Sequence, residues 1–422
     1  MVVRPGAGTF AARPAGASGR AEPPDYSWQT VVLAERAIDT AGLSALADPP
    51  HADGVISLAT GYAHPSLMPH AALRAALMRA ARSPDAWDRP PAAGLHDLRA
   101  WFARETGPGT DARDVLITGG AQGAMSAAFR ALVPAGAPLL VESPTYSGAL
   151  SAVRAAGIRP VPVPADRDGI IPEHLAEAFA RTGAQALYCQ PAYSNPSGAV
   201  LGAGRRQAVL DLAAAAGAFV IEDDCGRWLS HGQRAPATLL SDDTDGRVVY
   251  LTSLTKAAAP SLRIGALISR GPAASRLRAL RAVDDTFVAR PLQQAALELV
   301  TSPAWERHLT DLNLALGRRA VALLAAISRH LPTVSATLPG GGMHLWARLP
   351  SDTDDVATDD VAIAEAARRN NVIVMPGRPF FPAEAPAPHL RLTFSAAADE
   401  AELDEGVRRL AAAVPRRSSP SE

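Results

Sequence analysis

Of the 41 basic residues in this 422-residue chain, a single one is lysine: Lys256, in the run "VVYLTSLTKAAAPSLRIG" from Val248 to Gly265. Arginine serves wherever only a positive charge is needed, and its guanidinium stays protonated in proteins. A lone lysine among so many arginines points to work that needs a primary amine, such as attack on a carbonyl or movement of a proton. Ser253, Thr255 and Arg263 stand close to it in sequence and supply two hydroxyls and a cation suited to an anionic group. Other chemistry-bearing residues recur at similar places. The stretch "TGGAQGA" offers the glycine-opened helix start at Ala121 and Gln122, and "ESPTYSG" offers Tyr146. "PAYSNPSG" offers Asn195, and "VIEDDCG" offers Asp223 with Asp224 next in line.

Each of these groups follows a short apolar run. "DVLIT", "PLLVES", "ALYCQ", "AFVIE" and "RVVYL" read as buried parallel strands, with "IRPVPVP" and "IGALISR" as further strands. Helical segments such as "QGAMSAAFRALV", "SGALSAVRAAG", "HLAEAFART" and "GRRQAVLDLAAAAG" lie between them. The alternation predicts an α/β fold, a three-layer sandwich with a mostly parallel central sheet. In such sheets ligands bind beyond the carboxyl ends of the strands, so residues far apart in sequence are expected to converge there. After about Trp305 the texture changes. A long helix over 303–330, the strand "GGGMHLWARLP", the helix "VAIAEAARRNN", the strand "VIVMPG", the strand "HLRLTFS" and a closing helix predict a smaller α/β domain. The expected division is a disordered tail over 1–25, an N-terminal arm over 26–68, a large domain over 69–302, a small domain over 303–415 and a tail over 416–422. Within the arm, "SWQTVVLAERAIDTAGLSALA" reads as helix and "GVISLAT" as strand.

Composition narrows the classes. A net charge of −1 gives neither the basic footprint of a nucleic-acid binder nor a polybasic membrane patch. No apolar run reaches the ~18 residues of a spanning helix. Two cysteines, Cys189 and Cys225, make no disulfide framework and fit a reducing cytoplasm. Residue usage resembles that of a GC-rich bacterial genome. The first 25 residues lack the continuous apolar core of a secretory signal.

Taken together, the strand-end residues form one inventory: phosphate donors, an aromatic plate, hydroxyls with an arginine, a carboxylate and a primary amine. That inventory suits pyridoxal 5′-phosphate, an electron sink held on a lysine as a Schiff base. A carboxylate beside its pyridine nitrogen would keep that nitrogen protonated. The displaced lysine would be a free amine able to shuttle the substrate's α-proton.

At this point the chain resembles the fold type I pyridoxal-phosphate enzymes of the class I/II aminotransferase family, nearest the kynurenine/α-aminoadipate branch. The resemblance runs from about residue 28 to 415 on "GGAQGA", "ESPTYSGAL", "SNPSG", "IEDD", "SLTKAAAPSLRIG" and "LRLTFS". It implies an enzyme moving an amino group from an amino acid to a 2-oxo acid, built as a homodimer, with bacterial specialised metabolism as the setting. It also implies site residues. Ala121, Gln122, Ser253, Thr255 and Arg263 would hold phosphate, and Tyr146 would stack on the ring. Asn195 would meet the ring's 3-oxygen and Asp223 its nitrogen. Lys256 would carry the Schiff base, and Arg391 in "PHLRLTFS" would clamp the substrate carboxylate.

Three positions depart from the family pattern. Gly226 stands where a tyrosine usually follows the aspartate, Arg89 takes the register of a partner-subunit tyrosine with Trp87 nearby, and the N-terminal loop reads "ATGYAHPSLMP", where Tyr62 enters. Tyr62 and Arg89 are therefore candidate substrate contacts. Loops around Arg227–His231 and Phe380–Phe381 are further candidates for side-chain selectivity. The departures leave a second outcome open, a pyridoxal enzyme that eliminates, replaces, cyclises or oxidises. A third is a ligand sensor like the related regulators, for which no DNA-binding recognition helix is visible.

Overall fold

Apolar residues alternate between the two faces of each central strand, and each face carries its own core. Val249, Leu251, Tyr188 and Leu267 pack with Ala124, Met125 and Leu150 on one side. Val248, Tyr250, Leu187 and Ile268 pack with Leu175, Val209 and Trp101 on the other. Helices therefore cover both faces, and the fold is the three-layer α/β sandwich that the sequence predicts. The computed structural model describes residues 54–232, 234–350 and 359–414, together with 2–4, 6, 8–10, 25–33, 40 and 43.

The central sheet has eight strands, ordered Val115–Thr118, Gly265–Ile268, Val248–Ser253, Phe219–Asp223, Ala186–Cys189, Pro138–Ser143, Arg159–Asp166 and Gly169–Ile170. The five from Val248–Ser253 to Arg159–Asp166 run parallel. Gly265–Ile268 is antiparallel to both of its neighbours. Arg159–Asp166 holds Pro160, Pro162 and Pro164 at alternate positions and lies near the sheet edge, paired on its outer side only at Ala165 and Asp166. Proline has no N–H to give a ladder, so this placement follows from the residue type. The crossover helices include Ala121–Leu132, Ser147–Ala155, Pro172–Thr182 and Ala203–Ala215.

A long helix, Pro303–His330, leads to a second sheet of three antiparallel strands, His344–Arg348, His389–Thr393 and Met375–Pro376. Here the reading of "VIVMPG" as one strand needs correcting. Val372–Ile373 pairs instead with Ile56–Ser57, and the chain changes partner across Val374 before Met375–Pro376 joins the second sheet. The strand expected over "GVISLAT" shrinks to Ile56–Ser57 accordingly.

The N-terminal unit, Met1–Ile38, also departs from expectation. Val2–Arg4 and Gly8–Phe10 form a two-stranded antiparallel ladder inside the stretch read as disordered. Gly6, at φ +84°, supplies the left-handed turn residue between them. A helix covers Ser27–Leu33; apart from Thr40 and Leu43, the rest of the helix expected there, with residues 11–24, lies outside the described residues. Among the described residues no helix is long and apolar enough to cross a membrane.

Candidate active site

The carboxyl ends of the central strands and the loop after Lys256 meet in a cavity of about 430 Å³. Lys256 follows the fully buried strand Val248–Ser253, which sets its depth. Its Nζ donates to the Gly61 carbonyl at 2.7 Å and stands 4.2 Å from the centroid of the Tyr62 ring. Burial pushes the ammonium down to about 8; Arg391 and Arg263 push the same way, while Cys225 and Asp223 oppose them. A usable fraction of the amine is therefore neutral, and nucleophilic, near pH 7.

One end of the cavity is a cradle for an anion. Ala121 and Gln122 line it at the start of the helix Ala121–Leu132, which has no side-chain cap and leaves its first N–H groups open. Ser253, Thr255 and Arg263 line the same end. The Thr255 N–H donates to Ser253 Oγ at 3.1 Å, and Arg263 donates to the Gly119 carbonyl at 2.6 Å. A Cβ on Gly120, at φ +99°, would come within 2.6 Å of the Arg263 guanidinium, so glycine is required for the helix start and the arginine to meet.

Asp223 and Asp224 separate by strand alternation. Asp223 lines the cavity, where its Oδ2 accepts from the Tyr188 hydroxyl at 2.7 Å and from Gln190 Nε2 at 2.9 Å. Asp224 turns to the opposite face, accepts from the Tyr250 hydroxyl at 2.8 Å and lies 3.7 Å from Arg227. Burial raises Asp224 to about 6, with Arg227 opposing. The motif leaves the two carboxylates adjacent, but only Asp223 reaches the cavity.

Tyr146 lies on the cavity wall at the head of the helix Ser147–Ala155 and donates to Gln122 Oε1 at 3.2 Å. A Cβ on Gly148 would sit 2.4 Å from the Tyr146 ring, so glycine there makes room for it. Asn195 also lines the cavity, and its Oδ1 accepts from Arg391 Nη1 at 3.2 Å. Arg391 donates through Nη2 to the Ala59 carbonyl, while its buried Nε has no partner. Burial lowers its guanidinium to about 10, so it remains a cation at neutral pH. An unsatisfied donor on a buried cation is a ready place for a carboxylate.

Some expected contacts are not brought in. Arg89 is exposed and does not line the cavity of its own chain, and Trp87 is 84% exposed. Arg227 turns away toward Asp224 and the Pro236 carbonyl. Phe380 lies 5.1 Å from the Arg391 guanidinium, in a fully buried position. Other residues reach the cavity without having been singled out from sequence. Tyr193 packs where a Cβ on Gly226 would meet its ring at 3.4 Å, and His344 lines the far wall. The one sequence signal for His344 is a polar residue standing between Met343 and the apolar run Leu345–Ala347, just after three glycines.

Residues 54–410 match the family described as aminotransferase class I and II. The chain belongs to that family. Within it, the 2-aminoadipate transaminase of Thermus thermophilus is 32% identical over 367 residues, 86% of this chain and 90% of that protein. The bovine mitochondrial kynurenine/α-aminoadipate aminotransferase is 28% identical over 346 residues, covering 76% and 80%. The crystal structure of the Thermus thermophilus α-aminoadipate aminotransferase, complexed with N-(5′-phosphopyridoxyl)-L-leucine, superposes with a TM-score of 0.83 at 29% identity. That match covers 93% of this chain and 98% of the other. This aminotransferase is therefore a pyridoxal-phosphate-dependent transferase of fold type I. The residues present fit the cofactor: an open helix start with hydroxyls and an arginine for its phosphate, a lowered-pKa amine for its aldehyde, and a buried carboxylate for its ring nitrogen.

Proposed function

We propose that this aminotransferase passes the amino group of an α-amino acid to a 2-oxo acid, with Lys256 as its proton carrier. The observation that carries the reading is the convergence of Lys256, Asp223 and the Arg263 cradle in one cavity, with Arg391 and Asn195 hydrogen-bonded at its edge. Bound there, pyridoxal phosphate supplies an electron sink that makes loss of the substrate's α-proton accessible.

The chain's residues do the rest. Ala121, Gln122, Ser253, Thr255 and Arg263 would hold the phosphate, and Tyr146 would lie against the ring. Asp223, held by Tyr188 and Gln190, would keep the ring nitrogen protonated by favouring its charged form. Asn195 would meet the ring oxygen, and its Oδ1 steadies Arg391. Arg391 fixes the substrate carboxylate, which turns the Cα–H toward the Lys256 amine. That amine is the group placed to take the proton and later to give it back. Tyr62, beside Lys256 Nζ, bounds the space in which it swings.

We place the division between the large and small domains near Pro303 and read the protein as a homodimer in a bacterial cytoplasm, within specialised metabolism. The exposed Trp87 and Arg89 support the dimer as partner-facing groups. Light scattering on the active protein tests it, and an active monomer would reject it.

A ¹⁵N-transfer assay tests the function. Label from a donor amino acid should appear in the amino acid formed from a 2-oxo acid acceptor, and label released as ammonia would contradict transfer. In the same assay Arg391→Ala should raise KM for both substrates by about 100-fold, as loss of a buried charge-assisted contact implies. Unchanged KM would refute the clamp.

A further inference from the structure

His344 opens the strand His344–Arg348 directly opposite Thr393, and Trp346 lies opposite Arg391. Directly opposed residues share a face of the sheet, and so do residues two apart on one strand. His344 and Arg391 therefore project to the same side as diagonal neighbours. The His344 ring is fixed by a 2.8 Å hydrogen bond between Nδ1 and Thr393 Oγ1. Among the described residues the ring's one hydrogen bond is made through Nδ1, and the residue lines the active-site cavity, which leaves Nε2 for a ligand. Burial, with Arg391 and Lys256 nearby, holds its pKa well below the usual histidine value. The ring is thus a neutral hydrogen-bonding group and no cation.

The wall beside it is neutral as well: Tyr62, Tyr193, Leu229 and Met343, with Leu43. Among the described residues, Lys256 and Arg263 are the only cations lining the cavity, and Arg391 stands behind Asn195. All three already have partners in the proposed mechanism. Among the described residues of one chain, a second carboxylate on the substrate would meet no free cation at this end, and an unpaired buried charge is strongly disfavoured.

We propose that His344 reads the substrate's side chain through one hydrogen bond, and that the preferred donors have neutral side chains with an apolar or aromatic body and one polar group. The inference rests on the transaminase reading and narrows it. An acidic donor finds no free cation among the described residues of its own chain, and a purely apolar one makes no hydrogen bond to the imidazole.

The test uses the holoenzyme with five donors: tyrosine, phenylalanine, glutamine, glutamate and 2-aminoadipate. The neutral members should exceed the acidic ones in kcat/KM by at least about tenfold, and tyrosine should exceed phenylalanine by a similar factor, the scale of one hydrogen bond. His344→Phe should erase the tyrosine advantage, read as the ratio of kcat/KM for tyrosine to that for phenylalanine within the same variant. His344→Gln, which keeps a hydrogen-bonding group, should retain part of it. Calorimetric binding of 3-(4-hydroxyphenyl)propanoate against 3-phenylpropanoate should show the same loss without turnover. Preference for glutamate or 2-aminoadipate would overturn the substrate class with transamination intact. An unchanged tyrosine-to-phenylalanine ratio in His344→Phe would overturn the role of His344. Transfer from none of a wider amino-acid panel would instead overturn the function on which the inference rests.

Discussion

Replacing Lys256 with alanine should lower the rate of amino transfer by about 10⁴-fold or more, because in the proposed mechanism one group supplies both the covalent tether and the proton carrier. Lys256→Arg should be equally inactive. Guanidinium keeps the positive charge but offers neither a nucleophile nor an exchangeable base at neutral pH. Both variants should remain folded. The lysine contributes one side-chain hydrogen bond, to the Gly61 carbonyl, and removing a buried cation also removes its desolvation cost. Steady-state transfer together with a thermal melt separates the two effects. A variant with normal melting and near-normal turnover would remove Lys256 from the mechanism.

The second large effect is expected at Asp223. Asp223→Asn keeps the shape and leaves an acceptor for Tyr188 or Gln190, but it removes the negative charge that, in the proposed mechanism, favours a protonated ring nitrogen. Turnover should fall by roughly 10²–10³-fold, a shift of about 3–4 kcal/mol in the barrier. Asp224→Asn should cost less than about tenfold in turnover, because that side chain faces Tyr250 and Arg227 away from the cavity. Its effect should appear in stability, since it holds part of the buried network behind the sheet. Comparing kcat for the two variants decides the point. The reverse order would mean that the motif is read one residue out of register.

These two positions also mark what the sequence could convey. Lys256 was legible because its residue type is singular and a strand-like run precedes it. The strands were legible for a similar reason: parallel strands buried on both faces are continuous apolar runs, and the prolines of Arg159–Asp166 mark a position near the edge. Asp223 and Asp224 could not be separated by burial, because both are buried. Their hydrogen-bond partners separate them, and these come from neighbouring strands 26 to 35 residues away.

His344 was hidden for the same physical reason. Its meaning depends on Thr393, 49 residues distant, and on a register that no local pattern encodes. The split of "VIVMPG" between two sheets is likewise a tertiary choice that overrides a uniform local preference. Tyr62 shows the intermediate case. Its loop was notable in sequence, but its place 4.2 Å from the lysine amine depends on long-range packing.

The central claim is that Lys256 holds the cofactor, and the composition makes it directly measurable. The chain contains one lysine, so its only primary amines are the N-terminal amine and Lys256. Borohydride reduction of the holoenzyme, digestion and mass spectrometry would locate the pyridoxyl group. The expected result is a single adduct on the peptide spanning Lys256, absent after Lys256→Ala. An adduct on the N-terminal amine alone, or none on a protein that still transfers amino groups, would contradict it.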